Sequence, residues 1–162
     1  MTHSRITLAL AACLSLSLGS ALPAQQAAEP APDATTTPEA AGSFAPVPGD
    51  SVSLDDLVWK KRPVVVFADS PNDPAFTEQI RRLSERWPEL AARDVIVITD
   101  TTPEPPSSVR LKLRPRGFSL VIIAKDGTVN LRKPAPWDAR EVIRSIDKMP
   151  IRREEVRNGA LR

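Results

Sequence analysis

Three short runs of apolar and β-branched residues constrain this chain more than any other feature: PVVVFA (63–68), DVIVITD (94–100) and SLVIIAKD (119–126). Each is too short for a buried helix. Each is also continuous rather than alternating, which is the pattern of a strand covered on both faces. Between the first two lies DPAFTEQIRRLSERWPEL (73–90), where Phe76, Ile80, Leu83, Trp87 and Leu90 recur at helical spacing. Asp73 is placed to cap that helix and Pro74 to occupy its first turn, while Pro88 breaks or kinks it. A strand, a helix and a strand in this order make parallel neighbours through a right-handed crossover.

The remaining pieces extend that unit. Lys125-Asp126-Gly127 is a tight-turn signal, so TVNLRK (128–133) is expected to pair antiparallel with the third run as a hairpin. PWDAREVIRSIDKM (136–149) reads as a closing helix, with Asp138 and Glu141 in capping-box positions, Val142, Ile143, Ile146 and Met149 on its buried stripe, and Pro150 as its stop. Upstream, Ser53-Leu54-Asp55-Asp56 resembles a capping box opening a short helix that ends near Trp59. The expected fold is α/β: a four-stranded mixed sheet flanked by helices. Trp59, Trp87 and Trp137 are read as core anchors.

A leader is expected ahead of the domain. MTHSRITLALAACLSLSLGSALPAQQ carries a positive charge at Arg5, an apolar run from Ile6 to Leu18, and small residues at Ala21 and Ala24. These are the marks of a secretory signal peptide over 1–24, cleaved after Ala24, which implies an exported protein, periplasmic or extracellular. Leu10-Ala11-Ala12-Cys13 also matches the motif for lipid attachment at a bacterial lipoprotein cysteine. Its position fits worse, because the apolar run continues beyond Cys13. Residues 25–50 are rich in Ala, Pro and Thr and poor in large apolar groups, so they are expected to be a disordered tether. A single domain over 51–157 and a flexible tail over 158–162 complete the chain, with no membrane-integral segment in the mature product.

Cleavage removes Cys13 and His3, the one cysteine and one histidine of the chain, and there is no tyrosine. A thiol nucleophile, a Ser-His-Asp triad, a disulfide framework and an ordinary zinc site are thereby excluded, and no cofactor is expected. Charge is nearly balanced, 22 basic against 20 acidic residues, so no nucleic acid is expected as partner. One local bias stands out: Arg110, Lys112, Arg114 and Arg116 alternate along VRLKLRPR. This basic stripe, 110–116, is a candidate for binding an anionic polymer.

VVVFADSPNDPAF (64–76) opens like the redox end of a thioredoxin, and Arg116-Gly117-Phe118-Ser119 through Gly127 resembles the thioredoxin stretch RGIPTLLLFKNG. The loop has no cysteines, and Ser119 stands where that family has its cis-proline. A closer resemblance covers most of 54–155. Trp59 to Pro63, Ala92-Arg93-Asp94, Lys125-Asp126-Gly127 and the signature of Asp147, Met149, Pro150, Arg152, Arg153 and Glu154 resemble the domain of unknown function 4174. That family is found in exported bacterial proteins and in sushi-repeat-containing extracellular proteins. The resemblance implies a minimal thioredoxin-like fold lacking redox cysteines, an extracytoplasmic setting and no established catalytic residue.

Ligands of parallel α/β sheets collect beyond the carboxyl ends of the strands. Here that edge is expected to gather Asp69, Ser70, Asn72, Asp73, Asp100, Arg116, Gly117, Phe118 and Ser119. In thioredoxin-like folds an extended peptide can pair with the backbone before the cis-proline strand. Ser70, Asn72, Arg116, Gly117, Phe118 and Ser119 are therefore the candidate binding residues for a peptide or protein. Asp69 is expected to face Arg116 as an ion pair. A cation between Asp69 and Asp100, or a non-thiol enzyme built on these carboxylates, stays open as an alternative. The tail arginines Arg152 and Arg153 have two readings, a clasp onto the domain or a partner-docking motif.

Overall fold

Arg62–Phe67 (β2) is the central strand, and all six of its residues are buried. In the computed structural model, which describes residues 43–159, β2 runs parallel to Val95–Asp100 (β3), with Arg62 opposite Val95 and Phe67 opposite Asp100. On its other side it is antiparallel to Ser119–Ile123 (β4), with Val64 opposite Ile122 and Phe67 opposite Ser119. β4 turns into antiparallel Val129–Lys133 (β5). The turn between them has Gly127 at φ 84°, and Asp126 Oδ1 accepts from the Thr128 N–H. Val47–Pro48 (β1) adds a parallel pairing to the outer edge of β3, giving the order β1-β3-β2-β4-β5.

The sheet therefore has five strands, not the four expected. β1 lies before residue 51, in the stretch assigned to the tether, and a two-residue strand leaves no periodicity in the sequence. The signal peptide (1–24), residues 25–42 of the tether and the last three residues of the tail lie outside the described residues.

Because successive strand residues point to opposite faces, β2 divides its side chains between two cores. Val64 and Val66 pack with Leu83, Leu90, Val142, Ile146 and Met149, under Pro74–Glu85 (α1), Trp87–Ala91 (α2) and Ala139–Asp147 (α4). Val65 and Phe67 pack with Leu54, Ile98, Val109, Leu113, Val121 and Ile123, under Ser108–Leu113 (α3) and a 3-10 turn at Asp55–Leu57. This strand order, with helices on both faces and a terminal antiparallel hairpin, is thioredoxin-like.

The long helices begin where the sequence indicates. Asp73 accepts from the N–H groups of Ala75 and Phe76, with Pro74 following, and Asp138 accepts from that of Arg140. Gln79, buried on α1, exchanges two hydrogen bonds with the backbone of Trp137, so its amide is satisfied and ties α1 to the entry of α4. Three local expectations are corrected. The Ser53 capping box is absent, and the turn there is a single 3-10 turn without a side-chain cap. Trp59 is not a core anchor: it is 65% exposed with a left-handed φ of 62°. Pro150 does not merely stop α4 but occupies the first turn of a further helix, Pro150–Arg157 (α5), a position where its missing N–H is harmless.

α5 brings the tail under the amino end of the sheet. Arg62 is 1% exposed; its Nη1 donates to the Arg93 carbonyl at 2.7 Å and its Nη2 to Glu155 Oε2 at 2.5 Å. Lys125 bridges Glu155 Oε1 at 3.0 Å and Asp94 Oδ2 at 2.7 Å. Beside them Arg93 grips both oxygens of Asp147, at 2.8 and 2.9 Å, and Arg152 is buried with ion pairs of 3.6 Å to Asp147 and Glu155. The tail is thus a clasp, but Arg152 and Glu155 make it, while Arg153 and Glu154 stay exposed. The carboxyls respond in kind. The hydrogen bond from Arg93 holds Asp147 below its ordinary value. For Asp94 and Glu155 burial pushes upward, but the hydrogen bond from Lys125 to Asp94, and those from Arg62 and Lys125 to Glu155, outweigh it, and both are lowered.

Removing one partner of a buried pair leaves the other charge uncompensated, so Glu155→Gln is expected to destabilise the domain by about 3 kcal/mol in denaturant unfolding. Truncation after Lys148, which also removes Met149 from the core, is expected to lower the melting temperature further. A carboxyl with a depressed folded-state pKa stabilises fully above its unfolded value and loses that contribution as the pH falls through the folded one. The melting temperature is therefore expected to decline below about pH 4.5, the ordinary glutamate value, and to decline less steeply in Asp147→Asn than in the native chain.

Candidate functional site

At the carboxyl end of the sheet the chain leaves β2 through Ala68, Asp69, Ser70, Pro71 and Asn72 before Asp73 caps α1. Ser70 and Asn72 are exposed, and the Ser70 hydroxyl accepts from the Asn72 N–H at 3.2 Å. Across from this loop, Gly117 has φ 58°, which favours glycine, and a β-carbon built there would sit 3.8 Å from Asp69 Oδ2. The backbone before β4 is thus brought beside the loop that follows β2.

The charge arrangement differs from expectation. Asp69 pairs not with Arg116 but with Arg110, at 3.6 Å. Arg110 is buried. Its Nη2 donates to the Ala68 carbonyl at 2.7 Å, the Asp100 carbonyl at 3.1 Å and Asp100 Oδ1 at 3.0 Å, its Nε donates to the same Oδ1 at 3.1 Å, and its guanidinium lies 5.4 Å from the Phe67 ring centre. Asp100 is filled from the other side too, accepting from the Ser107 hydroxyl at 2.5 Å and from the Thr102 N–H at 3.3 Å. Ser107 in turn caps α3 by accepting from the Arg110 N–H at 3.0 Å.

A guanidinium therefore occupies the space where a cation between Asp69 and Asp100 was considered. Asp100 is buried, and both of its carboxylate oxygens already accept hydrogen bonds. Among the described residues no group of three or more His, Cys, Asp or Glu side chains is placed to hold a metal ion.

The basic stripe is also corrected, because 108–113 is helical. Two residues advance a helix by about 200°, which sends Arg110 inward and Lys112 outward to Asp55, at 2.5 Å. Arg114 ends α3 in a left-handed conformation, φ 47°, and Arg116 follows it into solvent. These two join a third basic residue that sequence reasoning missed, Arg132 on β5. Arg114, Arg116 and Arg132 surround a concavity of about 450 Å³ whose walls include Phe118, Ser119 and Pro134. None of the three arginines has an ion pair or side-chain hydrogen bond with another described residue. Ser119 itself is buried and pairs with Phe67 across the β2–β4 ladder. Of the expected binding residues, the fold unites Arg116, Phe118 and Ser119 in this concavity. Gly117 stands between it and Asp69, while Ser70 and Asn72 lie in the neighbouring loop, outside its lining. The hairpin signal around Gly127 could have indicated Arg132, since the pairing places Arg132 opposite Val121.

Two solved structures are similar to this chain in fold. One is the mitochondrial 2-Cys peroxiredoxin from Plasmodium falciparum, 18% identical, covering 59% of this chain and 79% of that one with a TM-score of 0.44. The other is the Plasmodium yoelii thioredoxin peroxidase I, 17% identical, covering 67% and 86% with a TM-score of 0.47. Neither likeness bears on chemistry, and the strand order carries the fold assignment. The match at the level of sequence decides the family. Residues 53–155 fit the family described as Domain of unknown function (DUF4174), and they include the loop after β2, the arginine-lined concavity and the clasp at Asp147 to Glu155. On that match the chain belongs to the DUF4174 family.

Proposed function

We propose that this domain is an exported, redox-inactive binding module that takes an acidic, extended segment of a peptide or protein at the strand-end concavity. The observation that carries this reading is the set of three arginines without acidic partners among the described residues, Arg114, Arg116 and Arg132, around an apolar wall of Phe118 and Pro134. Guanidinium groups favour carboxylates because their planar donors match the two oxygens. Gly117 allows a second backbone to approach, and an extended ligand gains main-chain hydrogen bonds there without any thiol. A compact cluster suits a short acidic segment better than a long anionic polymer, which a linear stripe would have tracked. Buried, fully bonded Asp100 disfavours the carboxylate-enzyme alternative. The proposed setting rests on the leader, with its charged start, apolar run and small residues before Gln25.

A fluorescently labelled extended peptide rich in Glu and Asp, followed by anisotropy, tests the site. Binding is expected to weaken as salt rises. Arg116→Glu and Arg132→Glu are each expected to weaken it by roughly tenfold, the ~1.4 kcal/mol of one lost charge-assisted contact. Gly117→Val, whose branched side chain is strained at that φ, should also weaken binding, with its folding checked by circular dichroism. Undiminished binding in all three folded variants would sink the proposal. In an insulin-reduction assay the mature chain is expected to show no turnover above the reagent background, because exchange needs an attacking thiolate. Intact mass of the exported product is expected to begin at Gln25; a diacylated species beginning at Cys13 would overturn that address.

A further inference from the structure

The opposite, amino end of the sheet holds a second cluster that the proposed function leaves unused. Beside α5 lies a cavity of about 380 Å³ lined by Arg93, Asp147, Arg152, Arg153 and Val156. The Arg152 side chain is only 9% exposed, yet its Nε and Nη1, both closed to solvent, have no hydrogen-bond partner among the described residues. The nearest carboxylates, on Asp147 and Glu155, stand 3.6 Å away, beyond hydrogen-bond reach. Both are already committed: Asp147 gives its two oxygens to Arg93, and Glu155 gives one each to Arg62 and Lys125.

Four cations, Arg62, Arg93, Lys125 and Arg152, thus share three anions, Asp94, Asp147 and Glu155. Arg153, exposed on the same wall, adds a further positive charge and has no ion pair among the described residues. A buried guanidinium whose donors are unmet is costly, and the cluster is one negative charge short. Val156, 57% exposed, completes the wall. An inorganic ion gains nothing from that apolar contact, but an organic acid does.

The geometry points to a binding site at Arg152, Arg153 and Val156 for a carboxylate carried on a small apolar body. Its carboxylate completes the charge balance of the clasp through Arg152 and Arg153, and its apolar group covers Val156. Two sources present this chemistry: the carboxyl terminus of a chain ending in an apolar residue, and a free branched carboxylic acid.

The experiment is a titration of the full chain, following the Nε–H resonance of Arg152 and backbone amides of α5 by NMR at constant ionic strength. The probes are N-acetylleucine, 4-methylpentanoate, N-acetylleucinamide and inorganic sulfate. Saturable shifts with N-acetylleucine are expected, and no response to the amide, which lacks the charge. If 4-methylpentanoate binds as tightly, the site takes free acids; if it binds at least fivefold more weakly, the site reads a chain terminus. Arg153→Gln is expected to weaken binding at least fivefold and Val156→Ser at least threefold. Both positions are exposed, so the melting temperature of the unliganded protein should stay unchanged. Absence of saturable shifts, or equal shifts with sulfate or the amide, would overturn the proposal, as would unaltered affinity in both variants.

Discussion

The structure depends on a charge that has been taken out of water. Arg62 opens the central strand at 1% exposure, and a guanidinium in such a place costs several kcal/mol unless its donors are met. Two of its nitrogens reach the Arg93 carbonyl and Glu155, so the last helix has to return beneath the sheet. That requirement explains the signature from Asp147 to Glu155 in physical terms. Asp147 fixes Arg93, Met149 fills the core, Pro150 starts a new helix, and that helix delivers Arg152 and Glu155 to the buried arginines. The signature thus has a structural role before any functional one.

The other end of the sheet is closed by a similar device. Arg110 satisfies the Ala68 and Asp100 carbonyls as well as the Asp100 carboxylate, which pins α3 to the strand ends and supports the loop after β2 from below. A planar group with five fixed donors can bind several acceptors at once, which a lysine cannot do. With Arg110 committed inward, the loop that carries cysteines in a thioredoxin rests on its guanidinium, and of the segment's outward basic residues Lys112 pairs with Asp55 while Arg114 and Arg116 stand near Phe118. Within one short segment, Arg110 is thus buried as a support while Arg114 and Arg116 are exposed.

Much of this was legible in advance. The strands β2, β3 and β4 are continuous apolar runs buried on both faces, and α1 and α4 carry caps and apolar stripes over several turns. β1, α3 and α5 were not legible. A two-residue strand has no period. Five of the six residues of α3, VRLKL, alternate apolar and basic side chains, so their pattern resembles a strand as much as a helix. Pro150 marks both the end of one helix and the beginning of another, and the chain around it does not say which. Trp59 was misplaced because a large aromatic is ordinarily buried, whereas here the left-handed turn before β2 carries it outward.

The sequence by itself determined the elements with strong periodicity, their order, the parallel and antiparallel relations that the connections impose, and the absence of thiol chemistry after residue 13. Hydrophobic burial and capping are local or near-local in the chain, so they can be read along it. What only the tertiary structure decided is which charge meets which. Asp69 turned to Arg110 rather than Arg116, Glu155 reached Arg62 across 93 positions, and Arg132 came from β5 to stand with Arg114 and Arg116. Long side chains find partners by helix rotation and strand register. A single residue's shift in either redirects a guanidinium by several ångströms, and no pattern of neighbours along the chain records that direction.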